Sequence, residues 1–176
     1  MPEPVTEMKQ MVALEYAVRP SPLTLDYLGK LRAGRIVGHR CPECELVYVP
    51  PRGFCQICVV PTQTPEHEVA IADRGTVTSF TVVDPIQYHG QTEREVYALA
   101  SILLDGASGT LGQQRIADVP LEQVRMGLRV EAVWIPEAER KSDLRDQGAM
   151  LGGSIRHWRP SGEPDTPLSR FQEHIV

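Results

Sequence analysis

Residues 41–58 read CPECELVYVPPRGFCQIC, and this stretch holds all four cysteines of the chain. Cys41 and Cys44 form one C-x2-C pair, and ten residues separate it from a second pair, Cys55 and Cys58. A two-residue gap lets both sulfurs of a pair reach one ion from a single tight turn, and zinc prefers four tetrahedral ligands. The spacing therefore predicts one metal ion held by all four thiolates, in the closed shell that is typical of a structural site.

The cysteine pairs leave some alternatives open. Iron takes the same four thiolates, so the spacing does not decide between zinc and iron. A site that keeps its cysteines but has lost its metal also fits the pattern. Glu45 and Val59 depart from the common form of such turns, which favour glycine after the second cysteine of each pair. A thioredoxin-like redox role is disfavoured, because neither pair opens a helix after a strand within a βαβ pattern.

Upstream of the cysteines, the sequence predicts a short helix. Ser21 can cap it, Pro22 suits its first turn, and leucines recur at helical spacing over residues 25–31. Gly34 is expected to end it. Residues 1–20 contain three prolines and weak periodicity, so we expect a loose arm there.

Downstream of the cysteines, β-branched and apolar stretches alternate with turn residues. Five strands are predicted, over residues 76–83, 96–104, 111–119, 128–135 and 154–158. One helical turn is expected between the third and fourth strands, at residues 120–125. This order is typical of a small closed barrel of the OB type. We therefore expect a mainly β chain with an N-terminal helix, a rubredoxin-like zinc ribbon and a five-stranded OB-fold barrel with a C-terminal extension.

Composition and charge argue against several classes of protein. The net charge is -5 and only 6% of residues are aromatic, so the basic grooves and stacking rings of single-strand binders are missing. No apolar run reaches the roughly 18 to 20 residues that cross a bilayer. The N-terminal MPEPVTEMKQ lacks the basic start and apolar centre of a secretory signal. We expect a cytoplasmic, reducing location, where four cysteines are more readily metal ligands than disulfides.

The order of these features resembles the zinc-ribbon and OB-fold proteins that accompany thiolase-like enzymes in acyl-CoA metabolism. The matching stretches, after the helix, are GRI (34–36), RCPEC (40–44), VPPR (49–52), GTVTSFTVV (75–83), YALA (97–100) and VRMGLRVE (124–131). A narrower likeness lies in HWRPSGEPD at residues 157–165, which is similar to the C-terminal extension of the OB-fold subunits of bacterial steroid side-chain aldolases.

The resemblance implies an accessory subunit in a heteromeric complex. Such complexes cleave a β-hydroxyacyl-CoA by a retro-aldol step into a ketone and a shorter acyl-CoA, and a steroid side-chain CoA thioester is the expected substrate here. In that family the catalytic bases lie on the thiolase-like, lipid-transfer-protein type subunit, so no catalytic residue is expected in this chain. The sequence itself offers no convincing Ser/His/Asp set, carboxylate pair or phosphate-binding glycine loop.

The chain then divides into four parts: an arm and helix at residues 1–35, the zinc ribbon at 36–66, the barrel core at 67–135, and a C-terminal strand and partner-binding tail at 136–176. Two other functions stay open at this point. The chain could be a stand-alone acyl-CoA-binding or scaffold protein, or a nucleic-acid-binding OB module.

Two sets of residues outside the cysteines are candidates for binding. Arg35, Arg40 and Arg52 flank the ribbon, and guanidinium groups suit the phosphates of CoA, although surface solvation or partner contacts explain them equally well. The second set is expected at a partner interface and consists of Trp158, Tyr27 and His89. Trp158 is chosen because it precedes the polar tail, and His89 because it falls in the QYHG loop.

Overall fold

The computed structural model describes residues 19–84, 95–140 and 154–175. Its helix and strands are α1 (Pro22–Arg32), β1 (Ile36–Arg40), β2 (Val47–Tyr48), β3 (Glu68–Ile71), β4 (Arg74–Val83), β5 (Tyr97–Leu104), β6 (Thr110–Ile116), β7 (Arg129–Trp134) and β8 (Ile155–Pro160). Short 3-10 turns cover Pro65–His67, Leu121–Gln123, Glu137–Glu139, Leu168–Arg170 and Gln172–His174. No helix in these three ranges is both long enough and apolar enough to span a bilayer.

The helix α1 forms where its end signals predict it. The backbone N–H of Thr24 donates to Ser21 Oγ at 3.1 Å, and Pro22 occupies the first turn. Gly34 adopts φ 76°, and the N–H of Arg35 returns to the carbonyl of Lys30 at 3.0 Å, which closes the C-terminal end. One face of the helix is buried, and it contacts β1. The predicted helix is therefore confirmed.

A small antiparallel sheet carries the cysteine turns. Its order is β2-β1-β3, so β1 is the central strand. Arg40 pairs with Val47, and His39 pairs with both Tyr48 and Glu68. Since β3 belongs to this sheet, residues 68–71 pair with the ribbon side of the chain and not with the barrel. The four divisions of the chain stay predictions.

The second sheet is a closed barrel with the order β4-β5-β6-β8-β7, which confirms the predicted five strands. Its interior is mostly apolar, with fully buried side chains such as Val77, Ile102 and Val130, and it also buries Thr78 and Gln114. The third strand ends at Ile116, before the predicted residue 119, and a 3-10 turn lies between β6 and β7. The late strand β8 enters between β6 and β7, so residues 155–160 complete the barrel.

One glycine allows the barrel to close. A Cβ placed on Gly75 would lie 2.5 Å from the carbonyl oxygen of Leu103 and 2.8 Å from Ile102 Cγ2. No larger residue fits between β4 and β5 at this crossing. The glycine that opens the GTVTSFTVV stretch is thus required by the close approach of two strands.

Candidate metal centre

The four cysteine sulfurs meet at one point. One Sγ atom from each of Cys41, Cys44, Cys55 and Cys58 lies within 4.8 Å of the others, and the Cys44 and Cys55 sulfurs are 3.6 Å apart. Zinc–sulfur bonds of about 2.3 Å in a tetrahedron place sulfurs about 3.8 Å apart. Cys41 and Cys55 are fully buried and the other two are half-buried. The cysteines are therefore positioned to hold one metal ion.

The two pairs sit in turns of the same construction. In the first turn, the N–H of Glu45 donates to the carbonyl of Cys41 at 3.1 Å, and the N–H of Cys41 donates to the carbonyl of Leu46 at 2.8 Å. The second turn repeats this arrangement, with the N–H of Val59 donating to the carbonyl of Cys55 at 3.0 Å. Each turn brings both of its sulfurs to the same side, which is why a two-residue gap suffices.

Each turn ends on a strained residue. Glu45 has φ 60° and Val59 has φ 58°, in the left-handed region where glycine is favoured. A β-branched side chain is especially disfavoured there, and Val59 is 76% exposed, so burial of its side chain does not offset the strain. The non-glycine residues noted in the sequence therefore occupy the conformation that glycine would adopt more easily. A metal ion bound by the four cysteines would provide free energy that can hold these residues there.

Hydrogen bonds to the sulfurs favour the thiolate form at Cys55. The N–H of Cys58 lies 3.4 Å from Cys55 Sγ and the hydroxyl of Tyr48 lies 3.2 Å from it. These two contacts lower the pKa of Cys55 to about 6. A hydrogen bond between the Cys58 thiol and the Cys44 sulfur stabilises the protonated form of Cys58 and raises its pKa to about 12. A second thiolate beside the first would be repelled by it. Four thiolates become compatible at this spacing when a cation lies between them, so the donor set fits a bound metal.

The arginines predicted to bind CoA lie on the surface around the ribbon. Arg35 immediately precedes β1 and Arg40 is its last residue, so their Cα atoms are about 16 Å apart at roughly 3.3 Å per residue. Arg52 lies 5.9 Å from the ring centre of Tyr48. All three are exposed, and none forms an ion pair with another residue that the structure describes. A CoA role for them stays a prediction.

Two residues predicted at a partner interface lie in the interior. Trp158 is 0% exposed, and its Nε1 donates to Gln114 Oε1 at 3.2 Å inside the barrel. Tyr27 is 2% exposed, on the buried face of α1. Both predictions are wrong, because β8 and α1 direct these side chains into the core, where a partner cannot contact them. His89 falls outside the described residues.

The polar tail after β8 is attached to the barrel by ion pairs that the sequence reasoning missed. Glu163 accepts from Arg74 Nη1 at 3.1 Å and from Arg129 Nε at 2.9 Å. Asp165 accepts two hydrogen bonds from Arg125, at 2.6 and 2.9 Å. The acidic residues of the HWRPSGEPD stretch therefore contact their own barrel. No local signal predicts these pairs, because 34 to 89 residues separate the partners.

An open groove of about 600 Å³ lies between this tail and the end of the β4–β5 pair. Its lining residues are Thr76, Leu103, Leu104, Asp105, Gly106, Ala107, Arg129, Glu163, Pro164, Asp165, Thr166, Pro167 and Arg170. In the groove, the guanidinium of Arg129 donates hydrogen bonds to Asp105 and to Glu163. These two carboxylates raise the pKa of Arg129. The groove thus has charges that are largely paired with one another.

Comparison with known proteins gives matches in sequence and in fold. A family model described as ChsH2, C-terminal OB-fold domain, matches residues 68–135. A DUF35 domain-containing scaffold protein of Methanocaldococcus jannaschii is 33% identical over 120 residues, which are 67% of this chain and 77% of that protein.

Two solved structures share the fold. A protein of unknown function from the DUF35 family of Sulfolobus solfataricus is 21% identical, with a TM-score of 0.50, over 64% of this chain and 78% of that chain. The Ltp2-ChsH2(DUF35) aldolase contains a chain that is 18% identical, with a TM-score of 0.57. That match covers 81% of this chain and 99% of the other, so the fold similarity extends beyond the barrel core.

Proposed function

Since this chain belongs to the DUF35 family of OB-fold proteins, we propose that it is the accessory subunit of a thiolase-like aldolase. The observation that carries the proposal is the likeness in fold to the chain of the Ltp2-ChsH2(DUF35) aldolase over 99% of that chain's length. The sequence likeness of HWRPSGEPD to the extension of steroid side-chain aldolase subunits adds to it.

The proposed reaction is the retro-aldol cleavage of a β-hydroxyacyl-CoA, with a steroid side-chain CoA thioester as substrate. A base on the thiolase-like subunit removes the proton of the β-hydroxyl group, and the bond between the α and β carbons breaks. The β carbon leaves as a ketone, and the α carbon of the thioester takes up a proton. This chain's contribution is to complete the assembly around the acyl-CoA, and Arg35, Arg40 and Arg52 are the proposed contacts for the CoA phosphates.

For the metal centre, we infer that the ion is zinc and that its role is structural. Four thiolates leave no open position for water or substrate, and zinc does not change oxidation state. Metal binding to such a short segment contributes on the order of 10 kcal/mol to folding. The reduced thiols that it needs suit a cytoplasmic location.

The test of the functional proposal is co-expression with the thiolase-like protein encoded nearest to this chain. The two proteins should elute together from a sizing column, with a mass that corresponds to a heteromer. Separate elution, together with full aldol cleavage by the thiolase-like protein alone, would contradict the proposal.

The metal proposal has its own test. Elemental analysis of protein purified without added metal should find one zinc per chain, and replacing Cys55 with serine should remove it. Iron in the same stoichiometry, seen also as colour from thiolate-to-iron charge transfer, would contradict zinc but keep the four-cysteine site.

A further inference from the structure

Among the residues that the structure describes, the second half of β4 has a free edge. It pairs with β7 only through residues 74–76, and the last backbone bonds on that side join Val77 to Gly127 and Leu128. On its other side, pairing with β5 continues as far as Val83. Within the described ranges, residues 79–83 therefore pair on one side alone. No strand of the described part of the chain pairs with the backbone N–H and C=O groups on their second edge.

The side chains along this edge are apolar and open to solvent. Phe80 is 40% exposed and Val82 is 46% exposed. Their cross-strand neighbours are Ala100 and Ala98, which are buried in the barrel. Directly opposite residues lie on the same face of a sheet, so Phe80 and Val82 continue the inner face of the barrel into solvent. Thr81, on the opposite face, is also exposed.

This edge lacks the features that usually prevent pairing with another chain. Exposed edges are commonly protected by lysine, by proline or by a bulge that turns the strand away. The stretch SFTVV at residues 79–83 has no charge and no proline, and the irregularity in β4 lies before it, between Val77 and Ser79. An edge of this kind suits the addition of an extended segment from a second protein, through main-chain hydrogen bonds and side-chain contacts.

We propose that the aldolase partner docks here, by adding an uncharged extended segment to the free edge of β4 and covering Phe80 and Val82 with apolar side chains. This inference rests on the proposed function, because the partner is the thiolase-like subunit.

Two properties of the edge favour the thiolase-like partner over a second copy of this chain: the small area that two copies would bury, and the absence of charge along the edge. Pairing two copies along residues 79–83 would bury a strip of five residues a side, well below the roughly 800 Å² per partner of a stable interface. It would also leave the face that carries Phe80 and Val82 exposed to water. A larger partner covers this face together with the edge. Since residues 75–83 carry no charge, a segment without charges fits them without leaving an ion unpaired.

The experiment measures binding of full-length variants to the thiolase-like protein encoded nearest to this chain. Val82→Lys and Phe80→Lys each place a charge on the proposed contact, while Leu25→Lys is the matched control, since Leu25 is 56% exposed on α1, which packs against β1. We expect both edge variants to weaken binding by about 30-fold or more, as for an interface hot spot. The control should bind as the wild type does. Circular dichroism establishes that each variant is folded.

Hydrogen exchange gives a second readout that needs no substitution. Outward-facing amides of residues 79–83 should exchange more slowly in the complex than in the free chain. If wild-type protein forms the complex, and the edge variants bind equally well with no change in exchange, the inference fails while the proposed function stands. If wild-type protein forms no complex, both fail. A dimer of the isolated chain that Val82→Lys disrupts would assign the edge to a second copy and overturn the inference.

Discussion

The hydroxyl of Tyr48 lies 3.2 Å from Cys55 Sγ, and the N–H of Gln56 donates to the same hydroxyl at 3.3 Å. Tyr48 thus links β2 to a metal ligand that has no exposed surface. Such contacts orient a ligand and stabilise its charge, and their loss commonly costs 10- to 100-fold in metal affinity.

We predict that Tyr48→Phe lowers zinc affinity by about 10-fold while leaving one site per chain, because it removes the contacts of the hydroxyl with Cys55 Sγ and with the Gln56 N–H and keeps the ring. Competition with a chromophoric chelator measures the change. Tyr97→Phe is the control, since it removes a hydroxyl on β5, away from the cysteines. Equal affinity in the two variants would contradict a role for the Tyr48 hydroxyl.

The strain at Val59 gives a prediction in the opposite direction. Val59→Gly should raise the free energy of unfolding by about 1 kcal/mol, because glycine adopts the positive φ easily and the exposed side chain contributes little burial. Denaturant unfolding of the metal-loaded protein measures this. Ile57 is 70% exposed and has no positive φ, so Ile57→Gly should destabilise instead. A loss of stability in both variants would show that the turn at Val59 is not strained.

The buried position of Trp158 predicts a large cost on truncation. Trp158→Ala should lower the free energy of unfolding by about 3 to 5 kcal/mol, because it leaves a cavity in the barrel and an unpaired Gln114 amide oxygen. Trp134 is half-exposed, so Trp134→Ala should cost less than half as much. Unfolding followed by circular dichroism compares them without relying on tryptophan fluorescence. Normal stability of Trp158→Ala, with loss of partner binding alone, would restore Trp158 as an interface residue.

The C-terminal tail is held by one buried ring in addition to its ion pairs. Phe171 is 2% exposed, and a Cβ on Gly127 would lie 3.7 Å from that ring. We predict that Phe171→Ala lets the tail open, so trypsin cleaves after Arg170 at least about 10-fold faster while the barrel stays folded, since cleavage follows the open population. Leu168→Ala, at a 51% exposed position, should cleave at the wild-type rate. Unchanged cleavage of Phe171→Ala would mean that the ion pairs and the hydrogen bonds of Thr166 hold the tail without the ring.

Local signals in the sequence were sufficient to predict the four-cysteine cluster and the helix. The cysteine spacing is set by what one tight turn can reach, and Ser21, Pro22 and Gly34 act on their immediate neighbours. The five barrel strands were also predictable from their β-branched runs, whereas these runs do not tell which strands are neighbours in the barrel.

The errors concern contacts between distant segments. Trp158 was expected at the surface because polar residues follow it, but β8 returns to the barrel and pairs with Val133 and Ala132 of β7 through His157 and Trp158. The pairing of β3 with β1 and the attachment of Glu163 to Arg74 likewise depend on the folded arrangement. Sequence neighbours of these residues carry no information on which distant strand they contact.

The most direct test of the account is a comparison of retro-aldol activity with and without this chain. The substrate is a steroid side-chain β-hydroxyacyl-CoA, and the assay follows release of the ketone by the thiolase-like protein alone and by its mixture with the zinc-loaded chain. The account predicts that cleavage requires both proteins and is lost when the chain is added as the Cys55→Ser variant. Equal ketone release by the thiolase-like protein alone would contradict an accessory role.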